Sequence, residues 1–336
     1  MIKKFLCAFV AFCAMLCLCS CSAKQEKYTS YSFEYFDTVT SITGYAESRE
    51  EFDRVCESIY SMLGEYHKLY DIYKPYDGAV NLHSINVRAG EAVAADAKII
   101  SLLDYAKEAY ALTGGYTNVA MGSVLSIWHE YREKGERLPL MSELLSAADH
   151  TDINDVIIDK NAGTVCLFDE QMSLDVGALA KGYAVERVCK SLEAQGISSY
   201  ILNVGGNVRV IGAKPDGSPW TVGIERADGE GYEEYLSLSS GSVVTSGSYQ
   251  RYYYVDGVRY HHIISPDTLM PENKYVSVSV VTEDSGLGDA LSTALFSMDI
   301  DEGLALIEDT PSAEAMWVFA DGKKAYSSGF EKYIKK

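Results

Sequence analysis

Four short segments concentrate the residues that could do chemistry. Asp289 and Thr293 stand four apart in GDALSTA, so on a helix a carboxylate and a hydroxyl share one face among aliphatic neighbours. A carboxylate buried there needs a partner. A hard divalent cation such as Mg2+ would take oxygen from both, with waters, phosphate and a backbone carbonyl completing its shell. The plainer alternative is an aspartate favoured by the dipole at a helix start. In Asp175-Val-Gly-Ala-Leu-Ala-Lys-Gly-Tyr183, two glycines and Lys181 open a helix whose free N–H groups suit a phosphate, while Asp175 could equally be the cap of that helix. Asn203-Val-Gly-Gly-Asn207 joins two strand-like runs through a glycine pair that permits a ligand's close approach or simply a sharp turn. In Tyr260-His261-His262 the two histidines, adjacent on a strand, point to opposite faces, so one at most serves a given pocket.

The elements that must carry these groups alternate between helical and strand patterns, and the chain reads as α+β. Residues 33–46 read as a strand; 49–66, 95–113, 118–134 and 179–194 carry helical spacing. Strand signals follow at 156–158, 164–168, 199–204, 207–212, 219–225, 234–239 and 242–246. A hairpin is expected where 251–255 and 258–264 flank Asp256-Gly257, a dipeptide suited to a tight primed turn. The last third reads strand 275–282, helices 286–298 and 301–308, and strand 314–319. With no Pro- or Ser-rich break from 33 to 336, two lobes sharing an interface are expected rather than separate domains.

Composition narrows the function. The 336 residues carry 48 Asp and Glu against 29 Lys and Arg, a net charge of −19, which argues against a broad grip on nucleic acid. The start, MIKKFLCAFVAFCAMLCLCSC, has two lysines before an apolar run too short to span a bilayer, the pattern of a signal peptide over 1–20. Its end, Leu18-Cys19-Ser20-Cys21, resembles a bacterial lipobox, which implies lipidation of Cys21 and a protein anchored on the outer face of the cell membrane. Residues 21–32 are polar and read as a tether, with the folded domain from 33 to 336. Five of the eight cysteines lie in the leader or at its end; Cys56, Cys166 and Cys189 read as buried thiols.

The segments DVGALAKGYAVE (175–186), LNVGGNVRVIG (202–212), VVTSGSYQRYYYVDGVRYHHIISP (243–266) and SVSVVTEDSGLGDALSTALFSM (277–298), with FDTVTSITGY at 36–45, resemble the ApbE family of FAD:protein FMN transferases at the bacterial cell surface. The resemblance covers nearly the whole chain after the leader. It implies a two-lobed fold with mixed or antiparallel sheets flanked by helices and FAD between the lobes. It implies Mg2+ held by Asp289, Thr293 and a backbone carbonyl near Ala178. FAD contacts would come from Phe36, Tyr73, Thr117, Asn118, Val119, Asp175, Lys181 and Ile263. His262 would be the base, at a pKa suited to neutral pH, that deprotonates a Thr or Ser of an acceptor protein, joining FMN to it and releasing AMP. His261 should point away.

Two stretches depart from the family pattern. Ser265-Pro266-Asp267-Thr268-Leu269 stands where Asp-Pro-x-Thr-Gly is usual, and Phe36-Asp37-Thr38 lacks the glycine of Met-Gly-Thr. Other readings of the same residues are an Mg2+-dependent FAD pyrophosphatase, in which water attacks, a flavin-binding lipoprotein without turnover, and an electron carrier that is itself flavinylated.

Overall fold

Strands whose side chains alternate between two apolar layers build the centre of the molecule. The computed structural model describes residues 24–336; the leader and Cys21 lie outside the described residues. Eight strands form one antiparallel sheet in the order β1 (Glu26–Ser32), β2 (Thr40–Ala46), β6 (Tyr200–Val204), β7 (Asn207–Ile211), β10 (Gly241–Gly247), β13 (Tyr275–Thr282), β14 (Glu314–Phe319) and β15 (Lys324–Tyr326). On β14, Ala315 and Trp317 join one core layer while Met316 and Val318 join the other, the period-2 pattern of a sheet covered on both faces.

One face packs against helices α1 (Arg49–Tyr70), α6 (Ala180–Ala194) and α7 (Ser285–Ser297), joined by α3 (Ala97–Leu112) behind α1 and α8 (Ile300–Asp309) beside α7. The other face is covered by the hairpin of β8 (Trp220–Glu225) and β9 (Tyr232–Leu238). A small sheet of β3 (Val93–Ala94), β4 (Val156–Asp159) and β5 (Thr164–Leu167) extends the helical side. The remaining unit packs α4 (Gly122–Lys134) and α5 (Met141–Ala148) against the hairpin of β11 (Tyr252–Val255) and β12 (Val258–His261) around Trp128, Leu144, Tyr253, Ile264 and Leu269. The cleft lies between this unit and the sheet-and-helix body. Among the described residues no helix is long and apolar enough to cross a membrane, and Cys56, Cys166 and Cys189 are free.

The expected elements are present, with three corrections. Residues 26–32, expected as tether, form β1: Tyr28 packs on Phe52 with ring centroids 5.6 Å apart, and Ser30 hydrogen-bonds the Tyr60 hydroxyl at 2.9 Å. The strand expected over 33–46 starts only at Thr40; before it the chain turns through Phe36 (φ 54°) and Asp37 (φ 51°), which brings Phe36 to the cleft. Short helices α2 (Leu82–Asn86) and α5 were not expected.

Candidate active site

The cleft, about 500 Å3, has its floor where α6 begins beside α7. Leu179, the residue preceding α6, offers no side-chain cap, and Asp289 supplies one from the other helix: its Oδ2 accepts the Gly182 N–H at 2.8 Å. Gly182 makes this possible, since a Cβ there would lie 2.3 Å from the Ser285 carbonyl oxygen and 2.6 Å from Asp289 Cβ. Asp289 is 4% exposed, and burial pushes its carboxyl above the usual carboxylate range against the pull of Lys181, whose Nζ is 3.7 Å away. One turn on, Thr293 donates to the Ala178 carbonyl across 3.4 Å, long for such a bond. Asp175 does not cap α6; it closes a turn onto the Gly177 N–H (2.8 Å) and lines the cleft.

Two buried polar contacts fix the helices in register. Glu186, fully buried one turn beyond Gly182, accepts from Arg209 of β7 at 2.9 and 3.3 Å and from the N–H of Ser285, the first residue of α7, at 2.9 Å. The paired glycines of Asn203–Asn207 are the two-residue turn of the β6–β7 hairpin, with φ of 58° and 87°; the bare Gly205 admits Thr38, whose hydroxyl would meet a Cβ at 2.4 Å.

The opposite wall is aromatic and basic. Met121, the residue before α4, and Leu125 and His129 on it are spaced by four and face the cleft. Tyr73 stacks on His129 (5.7 Å, 22°) and hydrogen-bonds its Nδ1 at 3.1 Å. His262 lines the cleft, with its Nδ1 buried and unpartnered. Its pKa is lowered to about 3, by burial first and then by the charges of Arg251, His261, Lys181 and Arg132, so the value suited to neutral pH expected of it is corrected downward. His261 points into the core, its Nε2 2.7 Å from the Glu272 carbonyl and its ring edge-on to Phe296.

Phe36, Tyr73, Asn118, Asp175, Ala178, Lys181, His262, Ile263, Asp289 and Thr293 therefore share one cleft. Thr117 and Val119 do not reach it. Thr117, 1% exposed, gives its hydroxyl to the Ala290 carbonyl of α7 at 2.7 Å, and Val119, in the core, accepts the Asp175 N–H at 2.8 Å. Both hold the residues that line the cleft. Ser265 keeps the turn in which the family's aspartate stands: its Oγ accepts the Asp267 N–H at 3.3 Å. Leu269 adopts φ 57° where the family has glycine, held by burial and by Trp128, whose indole N–H donates to its carbonyl at 2.9 Å. His129 and Arg251 were not singled out from sequence; the spacing of His129 with Met121 and Leu125 was the available signal.

Known proteins share this fold. The model of the ApbE family matches residues 36–317. An FAD:protein FMN transferase of Vibrio cholerae is 29% identical over 97% of this chain and 98% of its own, and one of Treponema pallidum 33% identical over 74% of this chain and 73% of its own. The crystal structure of an ApbE protein of Thermotoga maritima superposes with a TM-score of 0.84 at 29% identity, covering 93% of this chain and all of that one. The flavin transferase ApbE from Vibrio cholerae gives 0.78 at 25%, covering 92% of this chain and all of that one. The family model reaches over most of the chain and the α+β architecture is shared: the chain belongs to the ApbE family.

Proposed function

We propose that the protein transfers the FMN moiety of FAD to a Thr or Ser hydroxyl of an acceptor protein and releases AMP, with a divalent cation, Mg2+ by preference, at the cleft floor. The observation that carries this reading is the convergence of one carboxylate, one hydroxyl and one carbonyl (Asp289, Thr293, Ala178) beside Lys181, in the same cleft as His262. The donor set is all oxygen, which suits a hard cation that keeps part of its water shell. Among the described residues no group of three His, Cys, Asp or Glu is disposed to hold an ion, so softer or multi-carboxylate sites have no counterpart. When bound, the cation supplies charge neutralisation at the diphosphate and improves AMP as a leaving group.

The chain's own residues do the rest. Lys181 adds a second positive charge at the floor, and Tyr73 on His129 gives a flat aromatic face for a ring. His262, neutral and with a bare ring nitrogen, accepts the proton of the incoming hydroxyl as its oxygen bonds to the FMN-side phosphorus and the phosphorus–oxygen bond to AMP breaks. We further propose that the enzyme works on the outer face of the cell membrane, held by lipid on Cys21; the lipobox-like end of the leader supports this.

Incubating the protein with FAD, Mg2+ and a hydroxyl-bearing acceptor tests the reading. Expected are an acceptor heavier by the FMN phosphoryl group and one AMP per adduct. AMP and free FMN without adduct would identify a hydrolase, and FAD bound without AMP would overturn catalysis.

A further inference from the structure

The described residues include ten arginines. Arg49, Arg187, Arg209 and Arg226 have a carboxylate within 4 Å. Of the six without one, four gather around one hairpin. Arg251 precedes β11, Arg259 lies on β12, and Arg132 and Arg137 stand at the end of α4, where Trp128 stacks on Tyr260 and Tyr253 hydrogen-bonds the Arg137 carbonyl. Arginines usually find carboxylates easily in a chain of net charge −19. Burial and the neighbouring Arg251 lower the pKa of Arg132, against the weaker pull of Glu133 and Asp175.

The hairpin has one covered and one open face. Tyr253 and Tyr260 pack toward Trp128. Tyr252 and Tyr254 share the other face with Arg259, whose guanidinium lies 5.6 Å over the Tyr252 ring and donates to Ser248 Oγ at 2.9 Å; the two tyrosines are 41% and 57% exposed. The open end of the hairpin meets the cleft, since Arg251 immediately before it and His262 immediately after it are lining residues. An acidic enzyme repels an acidic partner at large. A local ridge of arginine and tyrosine reverses that repulsion at one place and fixes the partner's orientation.

We propose that the outer face of the β11–β12 hairpin, with Arg259 on it and Arg251 where it meets the cleft, is the docking ridge for the acceptor protein, and that it receives an extended acidic segment whose hydroxyl enters the cleft beside His262. The proposal rests on the transfer reading of that cleft. Its test uses two synthetic peptides with a central threonine, one flanked by aspartates and the other with lysines in their place, each labelled for fluorescence anisotropy against the FAD-loaded protein. The acidic peptide should bind at least about tenfold tighter, with affinity falling as salt rises from about 0.05 to 0.5 M. In the Tyr254→Ser/Arg259→Ser variant the acceptor KM should rise about tenfold while FAD affinity and acceptor-free AMP release stay at the parent's values. Equal binding of the two peptides, or an unchanged KM in a folded variant, overturns the ridge. Loss of FAD affinity in the variant does so too, by assigning the arginines to FAD phosphates. Should the variant fail to fold, the parent's peptide preference and its salt dependence decide alone. Failure of transfer with charge-selective peptide binding intact would sink the transfer reading and leave the ridge standing.

Discussion

The backbone N–H of Gly182 donates to Asp289 Oδ2 at 2.8 Å, joining the first turn of α6 to α7. The helices can meet this closely only because residue 182 has no side chain. In Gly182→Ala the new methyl would collide with the Ser285 carbonyl and Asp289 Cβ, and both belong to α7 rather than to a flexible side-chain end. The variant should lose about 1–3 kcal/mol of stability and bind Mg2+ at least tenfold more weakly. Denaturant melts with and without Mg2+ check both.

Burial raises the Asp289 carboxyl, so in metal-free buffer its charge is a cost to the fold at neutral pH. Asp289→Asn should therefore melt at or above the parent's temperature without metal, whereas only the parent should gain from added Mg2+. AMP release should fall by at least about a hundredfold, as it should for the parent in EDTA. An equal Mg2+ shift in both proteins would count against the cation site.

His262 titrates at about 3, lowered by burial and by Arg251, His261, Lys181 and Arg132. Above that value it is neutral, so kcat/KM should show no histidine limb between pH 5 and 8. The sign for stability follows: below the ordinary histidine value of about 6.5 the unfolded chain takes up a proton that the fold refuses, so stability is lost as pH falls from about 6.5 toward 3. His262→Gln should flatten that decline, keep FAD affinity and slow transfer by about 10²–10⁴-fold. Chemical melts at pH 4 and 7 with single-turnover transfer measure the three effects.

The Glu186–Arg209 pair is buried on both sides and also holds the N–H of Ser285. Removing Glu186 leaves the buried Arg209 only the part-exposed Glu193, 3.0 Å away, so Glu186→Leu should cost about 3 kcal/mol. Replacing Arg209 with methionine as well should recover much of the stability but not the grip on Ser285, leaving weakened Mg2+ binding in a folded protein. Calorimetric titration of the double variant separates the two contributions.

The floor of the cleft was legible in the sequence because its donors lie in short runs of unusual composition: Lys181 beside glycines, and Asp289 one turn before Thr293. The opposite wall was less so. Tyr73, His129 and Arg251 come from three distant segments, and nothing local binds Tyr73 to His129, 56 residues away. Strand β1 passed for a tether because edge strands carry Ser, Thr and Tyr in place of aliphatic side chains, and its one open side needs no apolar cover. Thr117 and Val119 lie one layer behind the lining residues, tied to the Ala290 carbonyl and the Asp175 N–H, a placement that motif position does not reveal.

Strand β1 begins at Glu26, with only four residues between it and Cys21. Fully stretched, the five steps from that cysteine span about 17 Å. On a lipid at Cys21 the enzyme would thus be on a short leash, skimming the bilayer rather than ranging through the space beyond it. The proteins it modifies would then have to offer their hydroxyls at the height of the headgroups, and membrane proximity itself would become part of the choice of substrate.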